Sequence, residues 1–569
     1  MKYLSIIVLI FSFFLIGCEK KTENKEAEEV TMLKEKIARF VPTELKYDSS
    51  TLDEREKIVV EKLYLASKIM DELFLDQVYS KNYEIRKNLM EQAAAGSEKA
   101  KLELELFTIM FGPFDRLDHD APFIDTFQPE ADEPLAQKKP LGANFYPEDM
   151  TKEEFEKWIK DNPNDEKAFT SEFTVIRREA GKLVAIPYSD FWKDKLTEAS
   201  ILLKEAAEYA DNPTLKKYLN SRADAFLSND YYQSDMDWMD LKDHKIEIVI
   251  GPYEVYEDGM FNYKASFESF LTIEDPVESK KLDVFKKYLR EMEIHLPIPD
   301  EHKNFDRGSE SPLAVVNEVF TAGDTKSGIQ TIAFNLPNDE RVRQAKGSKK
   351  VMLKNVQEAK YNTILIPIVE IVLDKEQMQY VTFDAFFNHT LMHEMSHGIG
   401  PGFIKVDGRD TEVKKELKET YSTMEECKAD ILGMWNNIFM IEKGVFPKTF
   451  DKDTYVTFLA GTFRSVRFGI NEAHGGGNAI IYNYLLEKGA YEYNAKTQKV
   501  KVNFENIGPA LQELANYVLM IQANGDYKGA KDLIAKYVVN SPSMETLRKK
   551  LEHLPVDIKP VYEIEQMYK

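Results

Sequence analysis

Cysteine is almost absent from this chain. The 569 residues include only two cysteines, Cys18 and Cys427. A framework of disulfide bonds is therefore excluded, and the fold must be stabilised by core packing. If Cys18 carries a lipid, as argued below, Cys427 has no partner within the chain.

Positive charge is also scarce. The 97 Asp and Glu residues outnumber the 75 Lys and Arg residues, which gives a formal net charge of −22. We therefore expect no nucleic-acid partner. Beyond the first twenty residues, no apolar run reaches the roughly 18 residues needed to span a bilayer. Hydrophobic residues make up 43% of the chain, enough for a large globular core of several domains.

The first residues have the pattern of a lipoprotein signal peptide. A short basic start is followed by residues 3–16, which are almost all apolar, and then by Gly17 and Cys18. A small residue just before a cysteine resembles the bacterial lipobox, whose cysteine is lipidated. We expect a signal peptide over residues 1–17, a lipid anchor on Cys18 and a solvated tether over residues 18–35. The mature protein would lie in the bacterial cell envelope, on its periplasmic or surface face; an uncleaved membrane anchor is the alternative.

The remaining sequence predicts an α+β protein. Helical periodicity extends over residues 33–110 and from about 383 to 544. Alternating apolar residues predict a β-hairpin over residues 173–187. Further strands are predicted over residues 245–251, 267–273 and 363–369, the last of them buried.

The strongest motif is His393-Glu394-Met395-Ser396-His397, an HExxH pattern. Two histidines four residues apart share one face of a helix, so both imidazoles can bind one metal ion. The glutamate beside the first histidine can take a proton from a water at that ion. The pattern therefore predicts a catalytic zinc site.

Such a site needs a third protein ligand. Glu426 and Asp430 are four residues apart in the next acidic cluster, and one could bind the ion while the other orients an imidazole. Cys427 is a rival, although it lies about 100° round the helix from Glu426. His389, four residues before His393, is either a hydrogen-bond donor to the site or an ordinary packed histidine, because only the HExxH pair encloses a glutamate.

The segments HEMSHG (393–398) and EECKAD (425–430) together resemble the dipeptidyl peptidase III family of zinc peptidases, whose motifs are HExxGH and EECxAE. The shorter first motif resembles that of some bacterial members, and the second ends in Asp430 rather than Glu. By this likeness, the Zn²⁺ ligands are His393, His397 and Glu426. Glu394 would be the general base, while Glu425 and Asp430 would support the ligands from behind.

Further matches extend the resemblance beyond the metal motifs. His474 looks like the family histidine that stabilises the tetrahedral intermediate; the run 475–477 after it is Gly-Gly-Gly, which either allows close backbone approach or, more simply, forms a flexible turn. Asn335 and Asn338 look like the residues that hold the amino end and backbone of a peptide. Glu247 matches a substrate-binding glutamate of the family.

Two positions depart from the family pattern. Val249 stands where the family has a catalytic tyrosine, so that donor is missing or displaced to Tyr253 or Tyr256. Asn478 stands where the family has an arginine, which puts the same substrate contacts in question.

The resemblance implies a cleft between two lobes. We expect a mixed α/β lobe over residues 36–280 and 329–375, a helical zinc lobe over 281–328 and 376–540, and a C-terminal segment over 541–569. The implied reaction is release of dipeptides from the amino end of short peptides. The alternatives are another zinc hydrolase on the same scaffold, or a non-catalytic lipoprotein that binds peptides or a protein partner. The oligomeric state is left open.

Overall fold

The structure is a computed structural model that describes residues 26–124, 138–305 and 313–568. Cys18 and the predicted signal peptide lie outside these residues. Within these ranges, no helix is both long enough and apolar enough to cross a membrane. The fold is α+β, as predicted.

Helices account for most of the described chain. Several of them begin at a side chain that accepts the first free backbone N–H groups, as Asp53 does for Arg55 and Glu56 at the start of a 25-residue helix. The first ten helices are α1 (residues 26–37), α2 (Glu54–Val78), α3 (Asn82–Ala94), α4 (Glu98–Met110), α5 (Lys152–Asp161), α6 (Glu166–Phe169), α7 (Tyr188–Phe191), α8 (Lys193–Tyr209), α9 (Pro213–Ser228) and α10 (Tyr232–Met239). The others are α11 (Pro276–Ile294), α12 (Glu340–Lys346), α13 (Lys354–Lys360), α14 (Ile366–Val372), α15 (Phe383–Ser396), α16 (Val413–Leu417), α17 (Tyr421–Glu442), α18 (Phe450–Ser465), α19 (Ala473–Glu487), α20 (Ile507–Ala523), α21 (Tyr527–Tyr537), α22 (Pro542–Leu551) and α23 (Glu563–Met567).

One five-stranded sheet organises the first lobe. Its strands lie in the order β6 (Ile246–Glu254), β7 (Ser266–Glu274), β8 (Leu313–Gly323), β10 (Lys349–Leu353) and β9 (Ala333–Leu336). Strands β8 and β10 are parallel, and the other neighbours are antiparallel. Helix α2 packs across β7 and β8, so the central strands are buried and rich in apolar residues. The strands are β1 (Phe40–Leu45), β2 (Phe114–Asp115), β3 (Ala121–Pro122), β4 (Thr174–Glu179), β5 (Lys182–Pro187), β6 (Ile246–Glu254), β7 (Ser266–Glu274), β8 (Leu313–Gly323), β9 (Ala333–Leu336), β10 (Lys349–Leu353), β11 (Phe403–Val406), β12 (Arg409–Glu412), β13 (Tyr491–Asn494), β14 (Lys499–Val502) and β15 (Asp557–Tyr562).

The second lobe is helical and is built around α17. This helix packs against α15, α18, α19 and α20, and most of its residues are buried. The predicted hairpin is confirmed by β4 and β5, and the strands predicted near 245–251 and 267–273 are confirmed by β6 and β7. The central position of α17 brings the two sequence motifs together, because it carries the EECKAD segment and lies beside α15, which carries most of the HEMSHG segment.

Two predicted elements are wrong. Residues 363–369 are helical rather than a strand: a π-helical turn over Tyr361–Leu365 leads into α14. A short apolar run reads the same in a buried helix and a buried strand, so periodicity alone does not separate them. The predicted tether is also too long, since Leu33 of α1 is fully buried in a core cluster and Glu29 pairs with Lys99 at 2.7 Å.

The predicted lobe boundaries need two corrections. Residues 313–323 were expected in the helical lobe, but they form β8 between β7 and β10 of the sheet. The C-terminal residues do not form a separate segment, since β15 pairs in parallel with β1. Both pairings are between segments far apart in the sequence, which local patterns do not report.

Candidate metal centre

Three imidazole nitrogens converge on one carboxylate oxygen. Oε2 of Glu426 lies 3.0 Å from Nδ1 of His474, 3.3 Å from Nε2 of His393 and 3.8 Å from Nε2 of His397. The two Nε2 atoms of the HExxH pair are 3.2 Å apart. This oxygen is buried and receives no well-formed hydrogen bond. Nitrogen and oxygen donors that face one another in this way fit a shared divalent cation.

Three helices supply these groups. Helix α15 begins at Thr382, whose side chain accepts the backbone N–H of Ala385, and it carries His393 near its end. His397 is the first residue after this helix. Glu426 lies in the second turn of α17, and His474 lies in the first turn of α19. Glu426, the third ligand that the family resemblance implies, is therefore brought to the HExxH pair by helix packing.

Carboxylates behind the imidazoles fix their orientation. Nδ1 of His393 lies 2.7 Å from Oδ1 of Asp430, and Nδ1 of His397 lies 2.9 Å from Oε1 of Glu425. A hydrogen bond at Nδ1 leaves Nε2 unprotonated and available to a metal ion. Glu425 and Asp430 thus lie behind the predicted ligands, as the family resemblance implies.

His389 and Asn478 hold Asp430 in turn. Nε2 of His389 lies 3.2 Å from Oδ1 of Asp430, and a Cβ at Gly433 would lie only 2.8 Å from the His389 ring. The Asn478 amide donates to Oδ2 of Asp430 at 2.8 Å. Asn478, which departs from the family pattern, is therefore buried and holds the carboxylate that contacts His393.

The charges of the site favour a cation. Burial alone would lower the pKa of His393, but the carboxylates of Asp430, Glu426 and Glu394 raise it to about 10. Burial opposes ionisation of Glu425 as well, yet Lys428 and His397 lower its pKa to about 2. The carboxylates thus favour a positive charge at His393 when no metal is bound, and the same negative potential attracts a divalent ion, which takes the place of the imidazole proton.

The glycines after His474 are helical and tightly packed. A Cβ on Gly475 would lie 2.0 Å from the Gly469 carbonyl oxygen, and one on Gly477 would lie 2.8 Å from the Cys427 nitrogen. The simpler expectation of a flexible turn is wrong. The run lets the start of α19 approach the backbone of α17, and that approach places His474 on Glu426.

Glu394 lies at the edge of a cavity of about 1320 Å³ between the lobes. Leu313 and Lys350 line it from the sheet, and the β-hairpin of β11 and β12 closes the other side. The ammonium of Lys350 donates to the backbone carbonyl of Glu394 and lies 3.6 Å from its Oε2. The predicted base thus faces a cavity large enough for a peptide.

Comparisons with known proteins agree with this geometry. The model of peptidase family M49 matches residues 149–416. The solved structure of DPP III (dipeptidyl peptidase III) from Caldithrix abyssi is 65% identical, with a TM-score of 0.91, over 94% of this chain and all of that one. The chain belongs to peptidase family M49, the dipeptidyl peptidase III family. It is therefore a peptidase in a family of metallopeptidases.

Two further relatives extend the comparison. Dipeptidyl-peptidase III from Corallococcus sp. strain EGB is 42% identical, with a TM-score of 0.78, over 95% of this chain and 98% of that one. The protein named Nudix hydrolase 3 from Arabidopsis thaliana is 40% identical over 95% of this chain and 75% of its own length. Because a quarter of that protein lies outside the match, its name does not by itself assign an activity to the shared part.

Glu247 does not have the surroundings of a substrate-binding residue. Its side chain is buried, and its two oxygens lie 2.8 Å from Lys349 and 2.8 Å from His244. Burial opposes its ionisation, but Lys349 and His244 lower its pKa to about 2. These contacts favour a structural role for Glu247, and its role in substrate binding stays a prediction. Val249 is likewise buried in the core of the sheet.

Asn335 and Asn338 flank the cleft edge of the sheet. Asn335 is exposed on the edge strand β9, where its register partner is Lys350. The Asn338 amide donates to the Tyr253 carbonyl at 3.2 Å and lies 3.4 Å from Oε1 of Glu254.

Sequence reasoning missed two carboxyl groups of the sheet, those of Glu254, which lies next to Asn338, and of Glu268 on β7. Burial raises the pKa of Glu254 and, together with the charge of Glu254, that of Glu268. Oε1 of Glu268 is buried without a hydrogen-bond donor. Tyr256, one of the two tyrosines considered as the displaced donor, is 80% exposed beside them, whereas Tyr253 is buried. The repeated acidic and aromatic residues at 253–258 were the available signal.

Proposed function

We propose that this chain is a zinc-dependent dipeptidyl peptidase that removes dipeptides from the amino end of short peptides. The observation that carries the proposal is the convergence of His393, His397 and Glu426, with Glu394 one residue from the first ligand and facing the cavity between the lobes. The family membership of the chain supports the same activity.

His393, His397 and Glu426 would hold Zn²⁺. Bound zinc supplies Lewis-acid chemistry, since it polarises a carbonyl and makes water acidic near neutral pH. The remaining steps belong to the side chains. The Glu394 carboxylate takes the proton of the attacking water as the water oxygen adds to the scissile carbonyl carbon. It then delivers that proton to the leaving nitrogen as the C–N bond breaks.

His474 would stabilise the negative charge that develops on the carbonyl oxygen. Its side chain is 67% exposed and carries a ring nitrogen 3.0 Å from Glu426, so it lies beside the predicted ligands and is accessible to substrate. A hydrogen-bond donor that is already in place when charge develops is an effective catalyst of acyl transfer.

The sheet edge fits an extended peptide. Strand β9 is an edge strand, so one side of its backbone can pair with a substrate. Oε1 of Glu254 lies 3.4 Å from the Asn338 amide, and Oε1 of the buried Glu268 lacks a donor, which a protonated amino terminus would supply. Asn338 lies three residues after Asn335, at a distance of about 10 Å at most. Lys350, the register partner of Asn335, contacts Glu394.

The decisive assay is hydrolysis of unblocked tetrapeptides with products identified by mass. We expect dipeptide products from the zinc-loaded wild type, and none from Glu394→Gln, which should still bind zinc. Matched peptides with acetylated amino ends should resist cleavage. Cleavage of the acetylated peptides would support a different zinc hydrolase, and absence of turnover in the wild type would support a non-catalytic binding protein.

We also propose that Cys18 anchors the protein by lipid in the bacterial cell envelope. Support comes from the N-terminal sequence alone, where an apolar tract ends at Gly17-Cys18. Metabolic labelling with a radioactive fatty acid and membrane fractionation would test it. The wild type should be labelled and sediment with membranes, while Cys18→Ala should lose the label.

A further inference from the structure

A buried lysine lies under the end of the metal-binding helix. Lys428 is 2% exposed. Its ammonium donates to the carbonyl oxygens of Ser396 at 2.8 Å and Ile399 at 3.2 Å, and lies 3.5 Å from that of His397. The same ammonium lies 2.7 Å from Oε1 of Glu425. All of its donors are thus directed at one small region of the chain.

That region is the C-terminal end of a helix. Helix α15 ends at Ser396, and the last carbonyl groups of a helix have no donors within it. His397 follows directly, so the second histidine of the motif occupies the position where helices fray. A cation at a helix C-terminus is favourable both as a donor and through the helix dipole.

Lys428 also acts on His397 through a carboxylate. Oε1 of Glu425 lies within hydrogen-bonding distance of both Lys428 and Nδ1 of His397. The other oxygen of Glu425 accepts a hydrogen bond from Gln522 at 3.0 Å. Glu425 is therefore held from two sides while it orients the imidazole.

We propose that Lys428 is a positioning residue for the metal centre: it fixes both the backbone of His397 and the carboxylate that orients the His397 ring. The inference rests on the proposed zinc site. Loss of an outer partner that orients a metal ligand typically weakens metal affinity 10- to 100-fold. A lysine that only stabilised the fold would leave that affinity unchanged.

The chain offers a matched control in Lys264. This lysine is also fully buried, and its ammonium donates to the carbonyl oxygens of Phe169 at 2.6 Å and Ser171 at 2.8 Å and to the hydroxyl of Thr174 at 2.8 Å. All of these contacts lie in the sheet lobe. Removing Lys264 should therefore cost stability without touching the metal helices.

The experiment compares the full-length variants Lys428→Met, Lys428→Gln, Lys428→Arg and Lys264→Met with the wild type. The zinc dissociation constant is measured by competition with a chromogenic chelator, the site geometry by the visible absorption of the Co²⁺-substituted protein, and stability by thermal unfolding without metal. We expect Lys428→Met and Lys428→Gln to bind zinc at least 10-fold more weakly and to alter the cobalt spectrum. Lys428→Arg should restore most of the affinity, and Lys264→Met should lower the unfolding temperature alone.

Zinc affinity equal to the wild type in folded Lys428→Gln or Lys428→Met would overturn the inference. An equal loss in Lys264→Met would also overturn it, because the effect would then follow stability. Failure of the proposed function has a different signature: the wild type itself would bind zinc no better than Glu426→Gln.

Discussion

Gly477 on α19 packs directly against the backbone of Cys427 on α17. A Cβ at this glycine would lie 2.8 Å from the Cys427 nitrogen and 3.1 Å from its Cα. No side chain can turn aside to relieve such a contact, because both neighbouring atoms belong to the backbone of a buried helix. The glycine thus sets how near His474 comes to Glu426, which is 3.0 Å.

We expect Gly477→Ala to lower kcat by 10-fold or more. The added methyl group must push α19 away from α17, and a shift of about 1 Å at a catalytic group can cost 100-fold in rate. The measurement is steady-state hydrolysis of an unblocked peptide. Gly461→Ala on α18 is the control, because a Cβ there meets nothing within 4 Å, so its activity should match the wild type. Full activity of Gly477→Ala would show that the helix contact does not position the site.

Zinc should stabilise the fold as well as activate the site. The metal would connect the C-terminal end of α15 with α17. A ligand that binds only the folded state stabilises it by about 4 kcal/mol at 1,000 times its Kd. Adding zinc to chelator-treated protein should therefore raise the unfolding temperature. His393→Ala should show no such rise; a rise of equal size in that variant would place the stabilising zinc elsewhere.

Removal of the charge should affect substrate binding at Glu254 but fold stability at Glu247. We expect Glu254→Gln to raise KM for unblocked peptides at least 10-fold with little change in stability, since it faces the proposed amine site. Glu247→Gln should instead lower the free energy of unfolding by about 3 kcal/mol, because it leaves Lys349 in a buried position without its carboxylate partner. Kinetics and urea unfolding of both variants check the contrast. An unchanged KM in Glu254→Gln would contradict the proposed amine site. A raised KM with unchanged stability in Glu247→Gln would support Glu247 as the substrate-binding glutamate.

The contrast between these two glutamates shows what the sequence could predict. The pairing of His393 with His397 could be predicted, because helical spacing fixes which residues share a face, and Glu426 could be chosen over Asp430 only by the family resemblance. Glu254 lies after an irregularity in the pairing of β6 with β7, between Pro252 and Glu254. An extra residue in a strand changes which side chains face the cleft, and a pattern match along the chain does not detect it.

The same limit explains the errors in the fold. The helices and the local hairpin could be predicted because their contacts are close in sequence. The position of β8 depends on pairing with β7 and β10, and that of β15 depends on pairing with β1. These partners are far apart in the sequence, so local residue patterns do not predict the pairing. Burial was easier to predict than conformation, as the apolar residues 363–369 show: they are largely buried, but as a helix.

A buried carboxyl group in the sheet should make stability depend on pH. Burial raises the pKa of Glu318 from 4.5 to about 7, and its Oε1 accepts a hydrogen bond from the Tyr562 hydroxyl at 2.9 Å. Because the folded-state pKa is above the unfolded value, the folded protein retains a proton that the unfolded chain releases. The contribution is fully present below about pH 4.5 and is lost as the pH rises through about 7. Its upper limit is about 3 kcal/mol.

Glu318→Gln isolates this contribution. Glutamine keeps an acceptor for Tyr562 but does not titrate, so the variant should lose less stability than the wild type between pH 5 and pH 8. Urea unfolding of both proteins at several pH values, with a chelator present throughout to exclude metal effects, measures the difference. Burial and the charge of Glu257 also raise the pKa of Asp324 to about 7. The variant Asp324→Asn should therefore also lose less stability than the wild type over this pH range. Parallel pH curves for wild type and Glu318→Gln would show that this carboxyl group stays ionised in the folded protein.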